Sequence, residues 1–365
     1  MVPSIYRRDF YLEIICNLAG MAIIFDDSNS KEDLYPFAVV RNVADIRIGI
    51  LTIREKWETI ISQLSSSTIP DPLVIQSSII PTRSYAEKIL FSKNGKLIFD
   101  EVEFKTLRHA SDIFKLNDWA LRNDFELITA GRQSQKISST NKVISAENIF
   151  IEEGAVVEHS ILNASTGPIY IGKNALVMEG NFIRGPFALC EGATVKMGSK
   201  IYGATTIGPY CVAGGEIKNS ILFGYSNKAH DGYLGDSVLA EWCNLGAGTS
   251  NSNLKNTGGQ VNVWNNSKNE YIKAGTKCGV LMGDYSRAAI NTSFNTGTVV
   301  GICCNIFTAG FPPKHIADFS WGEGKYEIEK AFQDIDNWKK LKGKNITQEE
   351  KEILNELYHH NQKNK

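Results

Sequence analysis

The chain has 365 residues, with 39 lysines and arginines against 40 aspartates and glutamates and a pI near 6.6. This balance leaves no electrostatic footprint for nucleic acid or an anionic membrane, so the expected partners are small molecules and other copies of the chain. The length exceeds one ordinary core and calls for two domains, or one domain joined to an extended repeat.

Residues 1–20 read as an N-terminal extension outside the fold. Phe10 to Phe25 is apolar but interrupted by Glu13, Asn17 and Gly20, and Asp9 beside Arg7 and Arg8 spoils a leader pattern. The stretch is no membrane span, and Met21 is a candidate start. Ala22 to Phe25 predicts a strand and Asp26-Asp-Ser-Asn-Ser a turn. Ile46, Ile50, Ile53, Trp57 and Ile60 recur at helical spacing and predict a helix from Ile46 to Ile61. Leu73-Val-Ile, Ile79-Ile and Leu97-Ile-Phe are further strands, and Ser111 to Leu121 reads as helix. Residues 21–142 therefore form a small α/β domain. Cys16, Cys190, Cys211, Cys243, Cys278, Cys303 and Cys304 stand without a CxxC pair and read as packed, reduced thiols of a cytoplasmic protein.

Ile151 and Val157 begin a sixfold period. After a loop at Asn163 to Pro168 it becomes regular, at Ile171, Val177, Ile183, Leu189, Val195, Ile201, Ile207 and Ala213. This is the hexapeptide signature of a parallel β-helix, in which three short strands make one triangular turn and each hexad points one aliphatic side chain at the axis. Glycine follows the axial residue at Ile171, Ile207, Leu245 and Val300, where a Cβ would collide or a positive φ is needed. After a two-residue slip the phase resumes at Ile221, Asn227, Tyr233, Leu239 and Leu245, then at Met282, Ala288, Phe294, Val300 and Ile306. In this phase Asn227 and Tyr233 displace aliphatics from the axis on either side of His230.

The insertion at about 251–278 alternates in Gln260-Val-Asn-Val-Trp264 and Glu270-Tyr-Ile-Lys273, which predicts a hairpin arm leaving the coil. Tyr326 to Leu341 carries a helical stripe stopped by Gly343, and a second helix starts at the capping box Thr347-Gln-Glu-Glu350. The expected fold is mainly β. A left-handed parallel β-helix over 143–312 follows the α/β domain, and a helical segment over 313–365 ends the chain.

Lys218 to Asp236, with Asn227-Lys-Ala-His-Asp-Gly-Tyr-Leu-Gly-Asp236 at its centre, and Cys243 to Asn253 resemble the acetyltransferase half of the bacterial bifunctional N-acetylglucosamine-1-phosphate uridyltransferase/glucosamine-1-phosphate acetyltransferases. The resemblance implies that His230 is the general base. Lys-Ala-His stands where the family has Lys-Ala-x-His, and the distance to Tyr-Leu-Gly-Asp is kept. The chemistry needs such a residue: an ammonium group is not a nucleophile, and an imidazole can take its proton as the amine attacks a thioester. The alternative is a histidine packed at a coil corner or a subunit contact.

By the same resemblance Lys200 and Lys218 hold a sugar phosphate, and Tyr233 and Asn253 contact the sugar. Lys200 replaces a family arginine and loses the bidentate fork, and Leu254 replaces a family tyrosine. For both lysines a solvated position on a polar coil face is the competing reading. A further resemblance, carried by Leu34-Tyr-Pro-Phe, Val43 to Trp57 and Ile201 to Tyr210, is to sugar nucleotidyltransferase proteins of Bacteroidetes-type bacteria, with Val40-Arg41-Asn42 in place of Thr-Arg-Pro.

A nucleotidyltransferase needs a glycine-rich turn around a triphosphate, a basic residue and an acidic residue for Mg²⁺. Asp26-Asp-Ser-Asn-Ser supplies no glycine, and its carboxylates would repel phosphate. The resemblance implies a nucleotidyltransferase-like domain here, shortened on ordinary size priors, with Mg²⁺ expected only if it is active. Arg41, Arg47 and Lys56 are its candidate phosphate contacts, set against helix-surface and ion-pair roles, and Asp26 and Asp27 are candidate metal ligands. His109, His159, His315, His359 and His360 show no metal spacing, and no resident metal is expected.

The resulting expectation is a homotrimeric transferase of nucleotide-sugar and cell-envelope precursor synthesis. It would pass an acetyl group from acetyl-CoA, or another acyl group from its CoA ester, to an amino-sugar phosphate. Nucleotidyl transfer from UTP or dTTP, and a non-catalytic scaffold that binds a nucleotide sugar, are the alternatives.

Overall fold

The computed structural model describes residues 13–16, 22–64, 73–91 and 103–363; the strand expected at Leu97-Ile-Phe lies outside them. The eight residues of the regular period, Ile171 to Ala213, are each at most 2% exposed. Every third one is joined by a parallel ladder: Ile171 to Leu189 to Ile207, Val177 to Val195 to Ala213, and Ile183 to Ile201. Burying each of the valines, leucines and isoleucines contributes about 1.5–3 kcal/mol, so the column stabilises the coil along its length.

Three faces result. One sheet has nine strands, from Ile149–Ile151 to His315–Ile316, and a second has ten, from Val156–Val157 to Gly324–Lys325. The third has six, from Lys142–Ile144 to Tyr233–Gly235, and the pair Ser250–Asn251 and Ser293–Phe294 follows it. The protein is a parallel β-solenoid behind an α/β region.

The glycine after an axial residue serves close approach and has no left-handed φ. A Cβ on Gly208 would lie 1.7 Å from the carbonyl oxygen of Phe223 on the next turn. Left-handed backbone comes two residues later, at Tyr210, Tyr225, Trp242 and Tyr285. The first three rings stack, with centroids 5.1 and 4.3 Å apart.

Beyond Ala213 the structure corrects the expected phase. Ile207 pairs with Leu222, Ala213 with Lys228 and Ile217 with Leu234. The axial residues are Leu222, Lys228 and Leu234, whereas Asn227 and Tyr233 are only half-buried. The stretch from Leu234 to Leu239 is one residue short of a hexad, so counting back in sixes from Leu239 lands one position early.

The arm is the antiparallel pair Val261–Asn265 and Glu270–Gly275, and it does not leave the body. Trp264 stacks on His315 at 4.5 Å, and Asn265 and Ser267 donate to Asp33 at 3.1 and 2.5 Å.

In the N-terminal region Ala22–Asp26 pairs in parallel with Leu73–Gln76 and antiparallel with Glu13–Cys16. Four residues of the expected extension therefore belong to the sheet. The helix expected from Ile46 begins only at α1 (Ile53–Gln63), because Thr52 and Glu55 close a capping box there. Among the described residues of this region three helices follow: α2 (Arg83–Phe91), α3 (Asp112–Lys115) and α4 (Asn117–Thr129).

The start of α4 fastens the region to the nine-stranded face. The Asn117 amide donates to the Ala204 carbonyl at 2.8 Å, and its oxygen accepts from the Gly49 N–H at 2.7 Å. The Thr206 hydroxyl donates to the Gly49 carbonyl at 2.9 Å. At the other end, α5 (Ile328–Lys340) lies on the ten-stranded face. Its Lys339 sits 5.1 Å over the Trp242 ring, and the Arg287 guanidinium 5.4 Å over Trp338. The capping box at Thr347 and Glu350 opens α6 (Gln348–Lys363). No helix among the described residues is long and apolar enough to cross a membrane.

Candidate functional site

The last three strands of the six-stranded face, Lys200–Tyr202, Glu216–Lys218 and Tyr233–Gly235, turn Ile201, Ile217 and Leu234 to the axis. Alternation sends their neighbours outward. Lys200, Glu216 and Tyr233 form one outer row, and Tyr202, Lys218 and Gly235 the next.

These rows are tied together. The Tyr202 hydroxyl donates to Glu216 at 2.6 Å, and the Lys218 ammonium lies 5.8 Å over the Tyr202 ring. The Asn253 amide donates to the Tyr233 hydroxyl at 3.1 Å and to Asp236, whose other oxygen accepts from Asn219 at 2.7 Å. A Cβ at Gly235 would lie 2.3 Å from the Tyr233 hydroxyl, so any larger residue there would displace the ring.

Both phenols are held protonated at neutral pH. The hydrogen bond to Glu216, then burial, pushes Tyr202 up to about 12. Burial, then the charge of Asp236, pushes Tyr233 up to about 12. They can orient a polar ligand without adding negative charge.

The structure thus brings Lys200, Lys218, Tyr233 and Asn253 to one end of one face. His230 lies in the corner that enters Tyr233–Gly235, exposed and with no side-chain hydrogen bond among the described residues. Lys200 is likewise exposed.

Sequence reading missed Tyr202, Glu216 and Asp236, which only register places beside the candidates. It also missed Lys228, which the wrong phase put outside the core. Lys228 is 2% exposed, and its ammonium donates to the Gly214 carbonyl at 3.2 Å and to the His230 carbonyl. Burial lowers its pKa to about 8, against a smaller opposing effect of Asp231. The available signal was a lysine evenly spaced between Leu222 and Leu234.

The three N-terminal phosphate candidates all have partners inside the chain. Arg41 pairs with Asp284, with Glu241 at 3.6 Å. Arg47 donates to the Ile50 carbonyl and pairs with Glu55 at 3.3 Å. Lys56 is buried and donates to the Ile48 carbonyl at 2.7 Å and to Asp124. Each is thus held by an acidic partner inside the chain, although one guanidinium nitrogen of Arg41 is buried without a hydrogen-bond partner. Asp27 is fully buried and faces Lys31 at 3.9 Å, and burial raises its pKa. Asp26 accepts from the Ser28 N–H at 3.0 Å. No cluster of three or more potential metal-binding side chains occurs among the described residues.

Residues 22–101 match the family model described as sugar nucleotidyl transferase. A bifunctional sugar-1-phosphate nucleotidylyltransferase/acetyltransferase from Sulfurisphaera tokodaii is 27% identical over 319 residues, covering 80% of this chain and 69% of its own. The bifunctional protein GlmU of Methanocaldococcus jannaschii is 34% identical over 120 residues, 33% of this chain and 27% of its own. That of Methanococcus maripaludis strain C5 is 29% identical over 203 residues, 53% of this chain and 40% of its own. The chain therefore spans less than half the length of these two GlmU proteins. A crystal structure of UDP-N-acetylglucosamine acyltransferase overlaps 48% of this chain and 69% of its own at 12% identity, with a TM-score of 0.21. That superposition is too loose to bear on function. By its sequence matches, the chain is similar to GlmU-type bifunctional sugar-1-phosphate nucleotidyltransferase/acetyltransferases.

Proposed function

We propose that the chain transfers an acetyl group, or a related acyl group, from its CoA thioester to the amine of an amino-sugar phosphate on the six-stranded face. The observation that carries this reading is that Lys200, Lys218 and Tyr233 stand on successive turns of one face, with Asn253 bonded to Tyr233, at the strand that the His230 corner enters. His230 takes the proton of the amine as its nitrogen attacks the thioester carbonyl. The tetrahedral intermediate then collapses, the amide forms, and the CoA thiolate leaves and is protonated. Lys200 and Lys218 hold the phosphate as point charges, while Tyr233 and Asn253 orient the sugar.

The protein acts in the cytoplasm as a homotrimer, in which flat solenoid faces pack about a closed threefold axis and CoA lies between neighbouring coils. Ile144, Ile161 and Phe182 stand exposed on the same six-stranded face and supply apolar surface for such a contact.

Nucleotidyl transfer in the N-terminal region is the second reading, favoured by the family match over residues 22–101 but not by the side chains there. A buried Asp27 facing Lys31, together with phosphate candidates committed elsewhere, does not fit a Mg²⁺–triphosphate site, and no step is assigned to the metal.

The test is thiol release from acetyl-CoA in the presence of amino-sugar phosphates, with and without His230→Ala. The expected loss is about 10²–10⁴-fold. Unchanged turnover would remove His230 from the chemistry, and a wild-type protein inert toward every amino-sugar phosphate would favour a nucleotide-sugar-binding scaffold.

A further inference from the structure

Lys228 places a charge where the solenoid elsewhere places an aliphatic group. Along the inner row of the ten-stranded face the axial residues run Val157, Val177, Val195, Ala213 and then Lys228. An ammonium buried in such a column costs several kcal/mol unless it is hydrogen-bonded. A leucine there would bury as much apolar surface without that cost, so core packing alone does not account for the residue.

Its hydrogen bonds join two consecutive turns at one corner. The Gly214 carbonyl follows the axial Ala213, and the His230 carbonyl lies on the turn above. The backbones approach closely there, since a Cβ on Gly214 would lie 2.4 Å from the Ala229 oxygen and one on Gly215 2.8 Å from the His230 oxygen. At the corner itself the Asp231 carbonyl accepts from Gly248 at 3.1 Å, the Gly232 carbonyl from Glu216 at 3.2 Å, and the Ser250 hydroxyl from the Tyr233 N–H at 3.0 Å. The axial residue on the turn below is the small Ala213. Inside the coil, with water excluded, a charge-assisted bond to a carbonyl is stronger than at the surface.

We propose that Lys228 is a positioning residue: anchored on the Gly214 carbonyl, its buried ammonium grips the His230 carbonyl and fixes the corner that carries the imidazole toward the sugar-phosphate face. This role rests on the reading of His230 as the base. It makes Lys228 an internal strut that touches neither substrate. The same contact explains how an exposed histidine with no side-chain partner can keep a defined place, because the restraint acts on its backbone from within the coil.

The experiment compares wild type, Lys228→Met and Lys228→Gln in the full chain, by hydrogen exchange of the amides of residues 229–233, by melting temperature and by acetyl transfer. Met keeps the length without donors, whereas Gln keeps donors without charge. The expected result for Met is exchange at the corner faster by about tenfold, the weight of one charge-assisted hydrogen bond. Melting should be unchanged or higher, and kcat lower at constant KM for acetyl-CoA, with Gln intermediate. Corner exchange equal to wild type in both variants would overturn the role, as would a loss of kcat explained by a parallel fall in melting temperature. If Met fails to fold, the comparison of Gln with wild type decides by the same readouts. If the wild type transfers no acetyl group, the reading of His230 as base fails, and exchange at the corner still tests the grip of Lys228 on its own.

Discussion

Arg41 and Asp284, 243 residues apart in the chain, form an ion pair in which both side chains are almost wholly removed from water. Asp284 also accepts from the Glu241 N–H at 3.1 Å. A residue that by sequence could have met a phosphate is instead the clasp between the N-terminal region and the solenoid.

Removing one partner leaves the other charge buried. Arg41→Met is therefore expected to lower stability by about 3–5 kcal/mol in urea unfolding, and Arg41→Met combined with Asp284→Leu by clearly less than the sum of the single losses. Burial already raises Asp284 to about 6 despite Arg41. Without the arginine it rises further, so the cost of Arg41→Met should shrink below pH 6, where the carboxyl is neutral. A cost independent of pH, with additive single losses, would show that the pair is not a coupled unit.

Two changes test the solenoid itself. Ile201→Ala empties an axial position that is 1% exposed and should cost about 2–5 kcal/mol. Gly208→Ala drives a methyl group into the Phe223 carbonyl and should cost about 3 kcal/mol or more although it adds apolar surface. A neutral Gly208→Ala in thermal unfolding would mean that the turns are not stacked as described.

The buried Lys228 predicts a distinctive pH profile. Its pKa falls from 10.5 in the open chain to about 8 in the fold, by burial first. Between these values the unfolded state binds the extra proton, so stability rises with pH across that window, and the gain is lost again as pH falls through about 8. Lys228→Met lacks this dependence. The stability advantage of the variant over wild type should be largest below pH 8 and shrink toward pH 10.5 in denaturant titrations at each pH; a constant difference would place the lysine in water.

Tyr233→Phe removes a hydroxyl that accepts from Asn253 and leaves the ring in place. If the face binds the sugar phosphate, KM for that substrate should rise about tenfold while stability changes by about 1 kcal/mol or less. An unaltered KM in steady-state kinetics would take Tyr233 out of the binding site.

Much of the solenoid was legible because its signal is local: one aliphatic residue per hexad from Ile171 to Ala213, repeated without help from distant partners. The capping boxes at Thr52 and Thr347 and the alternation around Trp264 are local in the same sense. The period could not carry the phase across a contracted turn. Only the ladder from Ala213 to Lys228 shows which residue enters the axis, and with it that the Lys-Ala-His segment holds a buried charge.

The candidate face was legible through Lys200, Lys218, Tyr233 and Asn253, but its wiring through Glu216, Tyr202 and Asp236 depends on which strands stack. The N-terminal region shows the same division more sharply. Arg41, Arg47 and Lys56 were visible as basic residues, yet their roles are set by Asp284, Glu55 and Asp124. The repeating coil follows from local pattern alone, because each hexad buries its own side chain. The tertiary structure decided where the buried charges go, because an ion pair exists only once folding has brought both partners out of water together.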